Sequence, residues 1–325
     1  MKRKLTFRED GTFKIVQFSD TELVDEFDYD PETPAYDVAT LRTMEAIIHA
    51  ERPDLVVFCG DVIASNRARD PLKSMRTAVS IVERLGVNWA AVFGNHDSEG
   101  SVPRKAMHEE QLKYPYNVAL EDPKDVSGAG NYVLSVHDER GEPAAALYFL
   151  DSGDYPAKDS PVGGYAWIGR DQIDWYTKQS REFTRRNGGN PLPALAFFHI
   201  PLPEYNEVWD FHVCHGYRYD GCCSSPQINS GFFAAMVEMG DVMGTFVGHD
   251  HANDFVGELH GIKLCYGRST RYVSFIDGVR KDLMPVGARV IQLKAGERKF
   301  DTWIRDCEGN AVMEQPEHWP EGRKY

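Results

Sequence analysis

Residues 55–97 read LVVFCGDVIASNRARDPLKSMRTAVSIVERLGVNWAAVFGNHD, and this stretch decides the fold. The apolar runs at 55–59 and 89–93 predict buried strands. Between them, apolar residues recur at helical spacing from Leu72 to Leu85, while Pro71 suits a first helical turn and Gly86 a C-terminal cap. A strand, a helix and a second strand in this order form a βαβ unit, which predicts an α/β protein with parallel strands.

The same apolar pattern continues in both directions along the chain. It predicts an amphipathic helix with an apolar face from Val38 to Ile48, and further buried strands at 13–18, 145–150, 194–200, 243–247 and 262–266. After Gly261, short apolar stretches at 273–276, 290–293 and 300–304 indicate antiparallel strands that complete a second sheet. Residues 202–227 show no regular pattern and are interpreted as a long irregular loop.

Composition excludes several classes of protein. A chain of 325 residues that is 42% hydrophobic can bury a large core without disulfides. It has no apolar window of about 18 residues, which excludes a membrane-spanning protein, and its formal charge of −14 argues against long nucleic acid as a partner. Charges throughout residues 1–10 favour a cytoplasmic location over secretion. Six cysteines without C-x-x-C spacing predict free thiols, although the adjacent Cys222 and Cys223 leave a strained disulfide as the alternative.

Polar residues that can bind metal follow five of the predicted strands. They are Asp20 and Glu22; Asp61; Asn95, His96 and Asp97; His199; and His249 and His251. Because the carboxyl ends of parallel strands meet at one edge of a sheet, we expect these side chains to converge. Any one of these residues alone would ordinarily be a cap or a hydrogen-bonded core residue. Five predicted strands that are each followed by such a residue predict a site. Carboxylate, imidazole and amide donors suit manganese, iron or zinc, and Asp61 is the expected bridge between two ions.

These blocks resemble the signature of a known family. Asp20-x-Glu22, Gly60-Asp61, Gly94-Asn95-His96-Asp97, His199 and Gly248-His249-Asp250-His251 are similar to the five blocks of the calcineurin-like metallophosphoesterases. Residues 198–205 and 248–254 resemble the purple-acid-phosphatase-related phosphohydrolase branch of that family. The resemblance implies a four-layer α/β/β/α sandwich with two central mixed sheets. It also implies a single domain over residues 1–325, with the motifs at 13–266, completing strands at 267–305 and a tail at 306–325.

The resemblance further implies how the residues divide their roles. One metal ion would be held by Asp20, Glu22, Asp61 and His251, and the other by Asp61, Asn95, His199 and His249. His96 would face the leaving group as an acid, with Asp97 orienting it. A hydroxide bridging the ions would attack a phosphomonoester or phosphodiester in line. The alternatives are a nucleotide or cyclic-nucleotide phosphodiesterase or nuclease of the same fold, and a metal-binding scaffold with weakened catalysis.

Two positions depart from the family pattern. Glu22 stands where the family usually has histidine, and the added unit charge is worth on the order of 4 kcal/mol at ~4 Å and an effective dielectric of ~20. We therefore expect manganese or iron as the native metal, with zinc as the alternative. The other interpretation is that Glu22 points away and leaves a one-metal or weakly active enzyme. Ala64 stands where purple acid phosphatases carry a tyrosine, so no purple absorption band is expected.

Polar residues around the predicted rim are candidates for contacting the substrate, which we expect to be a small phosphoester. Arginine forks match phosphate oxygens in particular. The candidates are Asn66, Arg67, His215, Tyr217, Arg218 and Arg268, together with Arg271. An oligomeric state does not follow from the sequence.

Overall fold

Two mixed β-sheets form the centre of the molecule in the computed structural model, which describes residues 2–24, 33–271 and 284–320. Among these residues, the smaller sheet has six strands in the order β14 (Ala311–Val312), β13 (Phe300–Asp306), β12 (Gly287–Lys294), β2 (Thr12–Phe18), β3 (Leu55–Cys59) and β4 (Trp89–Val92). β2, β3 and β4 are parallel neighbours, and β12 pairs antiparallel with the other edge of β2. The C-terminal strands β12 and β13 therefore extend the sheet that contains β2, so the prediction that they complete a second sheet was wrong.

The larger sheet has nine strands in the described part of the chain. Their order is β1 (Leu5–Thr6), β5 (Tyr132–His137), β6 (Pro143–Phe149), β7 (Ala194–Phe197), β9 (Val242–Val247), β11 (Ile262–Tyr266), β10 (Val256–Leu259), β8 (Cys214–His215) and β15 (Glu317–His318). The central strands β6, β7, β9 and β11 are parallel, whereas β10, β8 and β15 add antiparallel at one side. The parallel strands of both sheets thus carry the predicted motifs at their carboxyl ends.

Helices cover the outer face of each sheet. α1 (Thr33–Glu51), α2 (Pro71–Leu85) and α3 (Arg104–Gln111) pack on the six-stranded sheet, as their shared apolar cluster shows. α4 (Arg170–Arg186), α5 (Glu204–Phe211) and α6 (Phe232–Met239) pack on the nine-stranded sheet through a second cluster. A third cluster fills the space between the two sheets. The predicted four-layer α/β/β/α architecture is confirmed.

Burial on both faces explains why the strands are nearly continuous apolar runs. In β2, Phe13 and Ile15 face the opposite sheet, while Val16 and Phe18 face the helices. β3 alternates in the same way, and all five of its residues are buried. Because neither face meets solvent, the strands are specified by apolar runs and not by a polar alternation.

The helix α2 begins and ends where the sequence predicts. The Asp70 side chain accepts a hydrogen bond from the backbone N–H of Lys73, and Pro71 occupies the first turn. Gly86 ends the helix at φ 69°, a left-handed conformation that glycine adopts without steric cost. These caps fix the length of the connection between β3 and β4.

Several elements differ from the sequence predictions. The stretch 202–227 contains α5, whose buried face includes Tyr205 and Val208, so its interpretation as an irregular loop was wrong. Residues expected to be a tail contribute β14 and β15, which pair with β13 and β8. The strand predicted at 273–276 lies outside the described residues. All six cysteines are free thiols, and none of the helices in the described ranges is long and apolar enough to cross a membrane.

Candidate metal centre

The carboxyl ends of five strands from both sheets meet at one edge of the sandwich. Asp20, Asp61 and Asn95 follow the parallel neighbours β2, β3 and β4. His199 and His249 follow β7 and β9, which are parallel neighbours in the other sheet. Backbone hydrogen bonds join adjacent loops, among them Asp20 N–H to the Gly60 carbonyl at 3.2 Å and Gly248 N–H to the His199 carbonyl at 3.1 Å. The predicted convergence of the five blocks is therefore found.

Asp61 lies at the centre of the converging side chains. Its Oδ2 atom is 2.9 Å from Nε2 of His199. Donor atoms of Asp61, His199 and His249 all lie within 4.8 Å of one another, and so do donor atoms of Asp61, Glu22 and His96. On the far side, Asp20 Oδ1 is 3.6 Å from Nε2 of His251. Two groups of metal-ligating atoms thus share one carboxylate, which is the arrangement that two neighbouring cations require.

Buried ligand atoms in this group lack hydrogen-bond partners. Among the described residues, Asn95 Oδ1 and His249 Nε2 have no hydrogen-bond partner, and Asp61 Oδ2 and His199 Nε2 meet as an ion pair at 2.9 Å without making a hydrogen bond. Buried polar atoms are ordinarily hydrogen-bonded, so each unpaired one needs an explanation. On the other side of the His199 ring, Nδ1 contacts the Cys59 carbonyl oxygen at 2.8 Å, which leaves Nε2 to face Asp61. The residues present fit a pair of metal ions.

Backbone conformation is strained at these same positions. Six described residues other than glycine have positive φ, and four of them belong to the site: Asp20 at 53°, Glu22 at 39°, Asp61 at 47° and His249 at 79°. Each such residue costs of order 1–3 kcal/mol, and strain of this kind clusters at functional sites. The surrounding hydrogen bonds maintain it; for example, His249 N–H donates to Asp20 Oδ1 at 3.0 Å.

Two glycines of the motifs allow the loops to approach closely. A Cβ atom on Gly94 would lie 2.1 Å from Asp61 Oδ1, and one on Gly248 would lie 1.8 Å from Ser19 Oγ. Neither neighbour can move away, because Asp61 and Ser19 are themselves buried in the site. The glycines before Asn95 and His249 are therefore required by packing.

Charges in the site alternate between carboxylates and imidazoles. Burial lowers the pKa of His199, but the Asp61 and Asp20 carboxylates and the hydrogen bond to the Cys59 carbonyl together outweigh it and raise that pKa to about 9. In the same way, burial lowers the pKa of His251, while the Glu22, Asp20 and Asp61 carboxylates together outweigh it and raise the pKa to about 10. Burial and the neighbouring His199 lower the pKa of His249 to about 3. Metal ions bind the deprotonated ligands, so their binding would release protons from His199 and His251.

Glu22 points into the site. Its Oε1 atom lies 3.4 Å from Nε2 of His251 and 3.9 Å from Nε2 of His96, and its side chain is 8% exposed. The alternative in which Glu22 points away is wrong for this structure. Arg271, which the sequence suggested at the rim, is fully buried behind Glu22.

Glu99, not Asp97, contacts the imidazole of His96. The Asp97 carboxylate accepts hydrogen bonds from the backbone N–H groups of Ile63 at 3.0 Å and Gly94 at 2.8 Å, so it joins two loops. Burial and the nearby Asp61 raise the pKa of Asp97 to about 7. Nδ1 of His96 instead lies 2.7 Å from Glu99 Oε2. The prediction that Asp97 orients His96 was wrong; Glu99 follows His96 by three residues, but its role depends on a turn that the sequence pattern did not show.

A cavity of about 460 Å³ opens above these side chains. Glu22, His96, His249 and His251 form part of its lining, and Asn66 and Arg67 lie at the same cavity as predicted. Asp220, Ser224 and Asp250 also line it. These three were not predicted, because they come from the stretch interpreted as an irregular loop and from the position between two histidines.

The other four predicted substrate contacts do not line this cavity as the described residues form it; they are His215, Tyr217, Arg218 and Arg268. Arg268 is buried, and its guanidinium binds the Asp254 carboxylate and the Pro285 carbonyl. Arg218 lies 3.3 Å from Asp210 and over the ring of Trp209. The Tyr217 ring stacks on Tyr219, and His215 lies in β8 between two paired strands. Arg268, Arg218 and Tyr217 thus contact other groups of the fold, whereas the His215 side chain is exposed.

Comparisons with known proteins agree with this geometry. Residues 13–253 match the family model described as calcineurin-like phosphoesterase. The chain is 36% identical over 296 residues to probable inactive purple acid phosphatase 29 of Arabidopsis thaliana, covering 84% of this chain and 76% of that protein. It is 30% identical over 333 residues to the phosphatase DCR2 of Saccharomyces cerevisiae, covering 93% of this chain and 55% of that protein.

Solved structures show the same fold at low sequence identity. A dimetal phosphatase from Danio rerio superposes with a TM-score of 0.56 at 15% identity, covering 89% of this chain and 98% of that one. Purple acid phosphatase PPD1 from yellow lupin seeds superposes with a TM-score of 0.56 at 11% identity, covering 95% of this chain and 54% of that one. Taken with the match over residues 13–253, these findings lead to one assignment: the chain belongs to the calcineurin-like phosphoesterases.

Proposed function

We propose that this protein is a dinuclear-metal-dependent phosphohydrolase that cleaves small phosphomonoesters or phosphodiesters. One observation carries the proposal: below the cavity that His96 lines, ligand atoms of Asp61, His199 and His249 lie within 4.8 Å of one another, and Asn95 Oδ1 and His249 Nε2 are buried there without hydrogen-bond partners. A protein that used these residues for packing alone would leave several kcal/mol of unsatisfied polar atoms in its interior.

The donor set divides into two groups around Asp61. We assign one ion to Asp20, Glu22, Asp61 and His251, and the other to Asp61, Asn95, His199 and His249. His96, whose ring also lies within 4.8 Å of Asp61 and Glu22, is assigned to the leaving group. Two bound divalent ions supply an activated water and neutralise phosphoryl oxygens. His96 lines the cavity beside them, where an imidazolium can give a proton to the leaving oxygen. The guanidinium of Arg67, at the rim of the cavity, would bind phosphate oxygens.

Manganese or iron is the proposed metal, with zinc as the alternative. Three carboxylates and one amide oxygen make the ligand set rich in hard donors, which favours manganese and iron. Arg271, whose Nε atom is 4.0 Å from Glu22 Oε2, offsets part of the charge that Glu22 adds.

A second candidate is a metal-binding scaffold with little turnover. Glu22 at a position usually occupied by histidine favours it, and relatives such as the Arabidopsis protein are named probable inactive phosphatases. Against it stands His96, which lines the cavity with its ring held by Glu99. A scaffold has no need for a proton donor beside the metal ligands.

One experiment distinguishes the phosphohydrolase from the metal-binding scaffold. Metal-stripped protein is loaded with Mn²⁺ or Fe²⁺ and assayed with p-nitrophenyl phosphate and bis-p-nitrophenyl phosphate, alongside His96→Ala. We expect hydrolysis of at least one ester. On phenyl phosphate, whose poorer leaving group needs a proton donor, His96→Ala should lose roughly 10²–10⁴-fold in kcat, the usual size of acid–base catalysis. Metal content of the variant should equal that of the wild type. No turnover on either ester by fully loaded protein would support the scaffold.

The proposed substrate is a small phosphoester, with nucleotides and cyclic nucleotides included among the candidates. A formal charge of −14 argues against a long nucleic acid. We also propose a cytoplasmic location, which six free thiols support because such thiols persist in reducing compartments.

A further inference from the structure

The carboxylate of Glu99 joins three separate segments beside the cavity. Its Oε2 atom lies 2.7 Å from His96 Nδ1 and accepts a hydrogen bond from the Asn66 side-chain amide at 2.8 Å. Its Oε1 atom accepts the hydroxyl of Tyr155 at 2.6 Å. An ionised carboxylate only accepts hydrogen bonds, so His96 presents an N–H at Nδ1 to Glu99. The ring of His96 is thereby held with its Nε2 atom toward Glu22, 3.9 Å from Oε1.

Tyr155 contributes a second contact, to the metal-ligand candidate Asn95. The Asn95 side-chain nitrogen donates to the Tyr155 hydroxyl at 3.4 Å, while the hydroxyl proton goes to Glu99. Because its proton is used for Glu99, the hydroxyl offers Asn95 an acceptor and no donor. The amide therefore turns its nitrogen to Tyr155 and leaves Oδ1 buried without a hydrogen-bond partner in the described structure.

The position of Tyr155 is itself fixed by aromatic packing. Its ring stacks on Tyr165 with ring centres 5.8 Å apart, and Tyr165 meets His249 edge-to-face at 4.4 Å. Because 47% of Tyr155 remains exposed, burial alone does not explain the position of its side chain. The hydroxyl contacts are the interactions that tie it to the site.

We propose that Glu99 and Tyr155 are positioning residues that act as one unit: Glu99 fixes the ring of His96, and Tyr155 fixes the amide of Asn95 so that its oxygen faces the metal centre. The inference rests on the proposed function and deepens it. Outer hydrogen-bond partners of this kind change metal affinity or activity by 10–100-fold when removed. The two halves have separate readouts, metal affinity for Tyr155 and leaving-group dependence for Glu99.

Tyr155→Phe tests the Asn95 half without any assay of activity. Mn²⁺ is titrated by calorimetry into metal-stripped wild type, Tyr155→Phe and a control, Tyr148→Phe, which loses a buried hydroxyl that donates to Asp241 at 2.9 Å, outside the site. We expect about tenfold weaker binding of one ion for Tyr155→Phe and unchanged binding for the control. Unchanged affinity in Tyr155→Phe would overturn this half of the inference.

Glu99→Gln tests the His96 half. The neutral amide keeps the size of the side chain but removes the charge that holds the imidazole. Rates are measured on aryl esters whose leaving phenols span a range of pKa, with Glu182→Gln, which alters an exposed helix carboxylate, as the control. We expect kcat to fall about 10–100-fold on poor leaving groups and only a few-fold on p-nitrophenolate, with KM little changed.

A merely structural role for Glu99 would lower all rates by the same factor, and that result would overturn the second half. If wild-type protein binds Mn²⁺ but hydrolyses none of the esters, the proposed function fails, while the Tyr155→Phe titration still decides the role of Tyr155. If both variants behave as the wild type, the pair has no positioning role. The two failures are thus distinguishable.

Discussion

The guanidinium of Arg271 lies directly behind Glu22, with Nη1 donating to the Glu22 backbone carbonyl and Nε 4.0 Å from carboxylate Oε2. Asp37 from α1 holds the same guanidinium at 3.3 Å. The carboxylate that departs from the family pattern therefore stands between the imidazoles of the site and a buried positive charge. Charge counted from the motif residues alone misses this partner, because Arg271 is 249 residues away in sequence.

Glu22 and Arg271 are expected to be coupled in stability. Arg271→Gln removes the buried positive charge behind Glu22, while His251 still faces the carboxylate from the other side, so it should cost about 2 kcal/mol of unfolding free energy in metal-stripped protein, the size of charge-assisted hydrogen bonds. Glu22→Gln removes the other charge, and the double variant should be more stable than the sum of the two single losses by about 1 kcal/mol or more. Urea unfolding of the four proteins measures this. Strictly additive losses would show that the two side chains do not interact.

Glu51 makes the stability of the fold sensitive to acid. Burial raises the pKa of Glu51, but hydrogen bonds from Arg305, Lys14 and Trp303 lower it by more, so the pKa lies below its usual value. A lowered folded-state pKa stabilises the protein above the unfolded pKa of about 4.3, and that contribution is lost as pH falls through the folded value.

Glu51→Gln should therefore destabilise the protein most at neutral pH. We expect a loss of about 2 kcal/mol at about pH 7, the size of charge-assisted hydrogen bonds, shrinking below about pH 4 as wild-type Glu51 takes up a proton. Denaturant midpoints for both proteins across this range provide the check. A difference that stays constant with pH would contradict the assignment of the charge.

Iron-loaded protein should be without the strong visible band of the purple enzymes. Ala64 follows Asp61 by three residues, is buried and lines the cavity, so no phenolate reaches an ion from this position. Absorption spectra of protein reconstituted with iron test this directly, with iron content measured in the same sample. An intense band in the wild type would mean that another tyrosine coordinates the metal.

Local sequence pattern predicted the parts of the protein that local pattern controls. Strand β3 is buried on both faces, so a continuous apolar run marks it, while β2 and β9 are mainly apolar with a few polar residues; the candidate ligands were found because they directly follow these strands. The caps of α2 were predictable for the same reason. Strand β5 was missed, although its burial alternates, because its polar positions break the apolar run.

Contacts between distant loops could not be predicted in this way. Tyr155 meets Glu99 across 56 residues, and Arg268 is held by Asp254 inside the fold instead of reaching the cavity. An arginine or a tyrosine near a motif has the same appearance in sequence whether it faces a substrate or a buried carboxylate. Tertiary packing decides between the two.

Two cations are expected to share Asp61, and anomalous scattering from crystals of Mn²⁺-loaded protein can locate them. We expect two anomalous peaks about 3.5–4 Å apart, both next to the Asp61 carboxylate, one beside His251 and one beside His249. A single peak, or peaks away from Asp61, in fully loaded protein would contradict it.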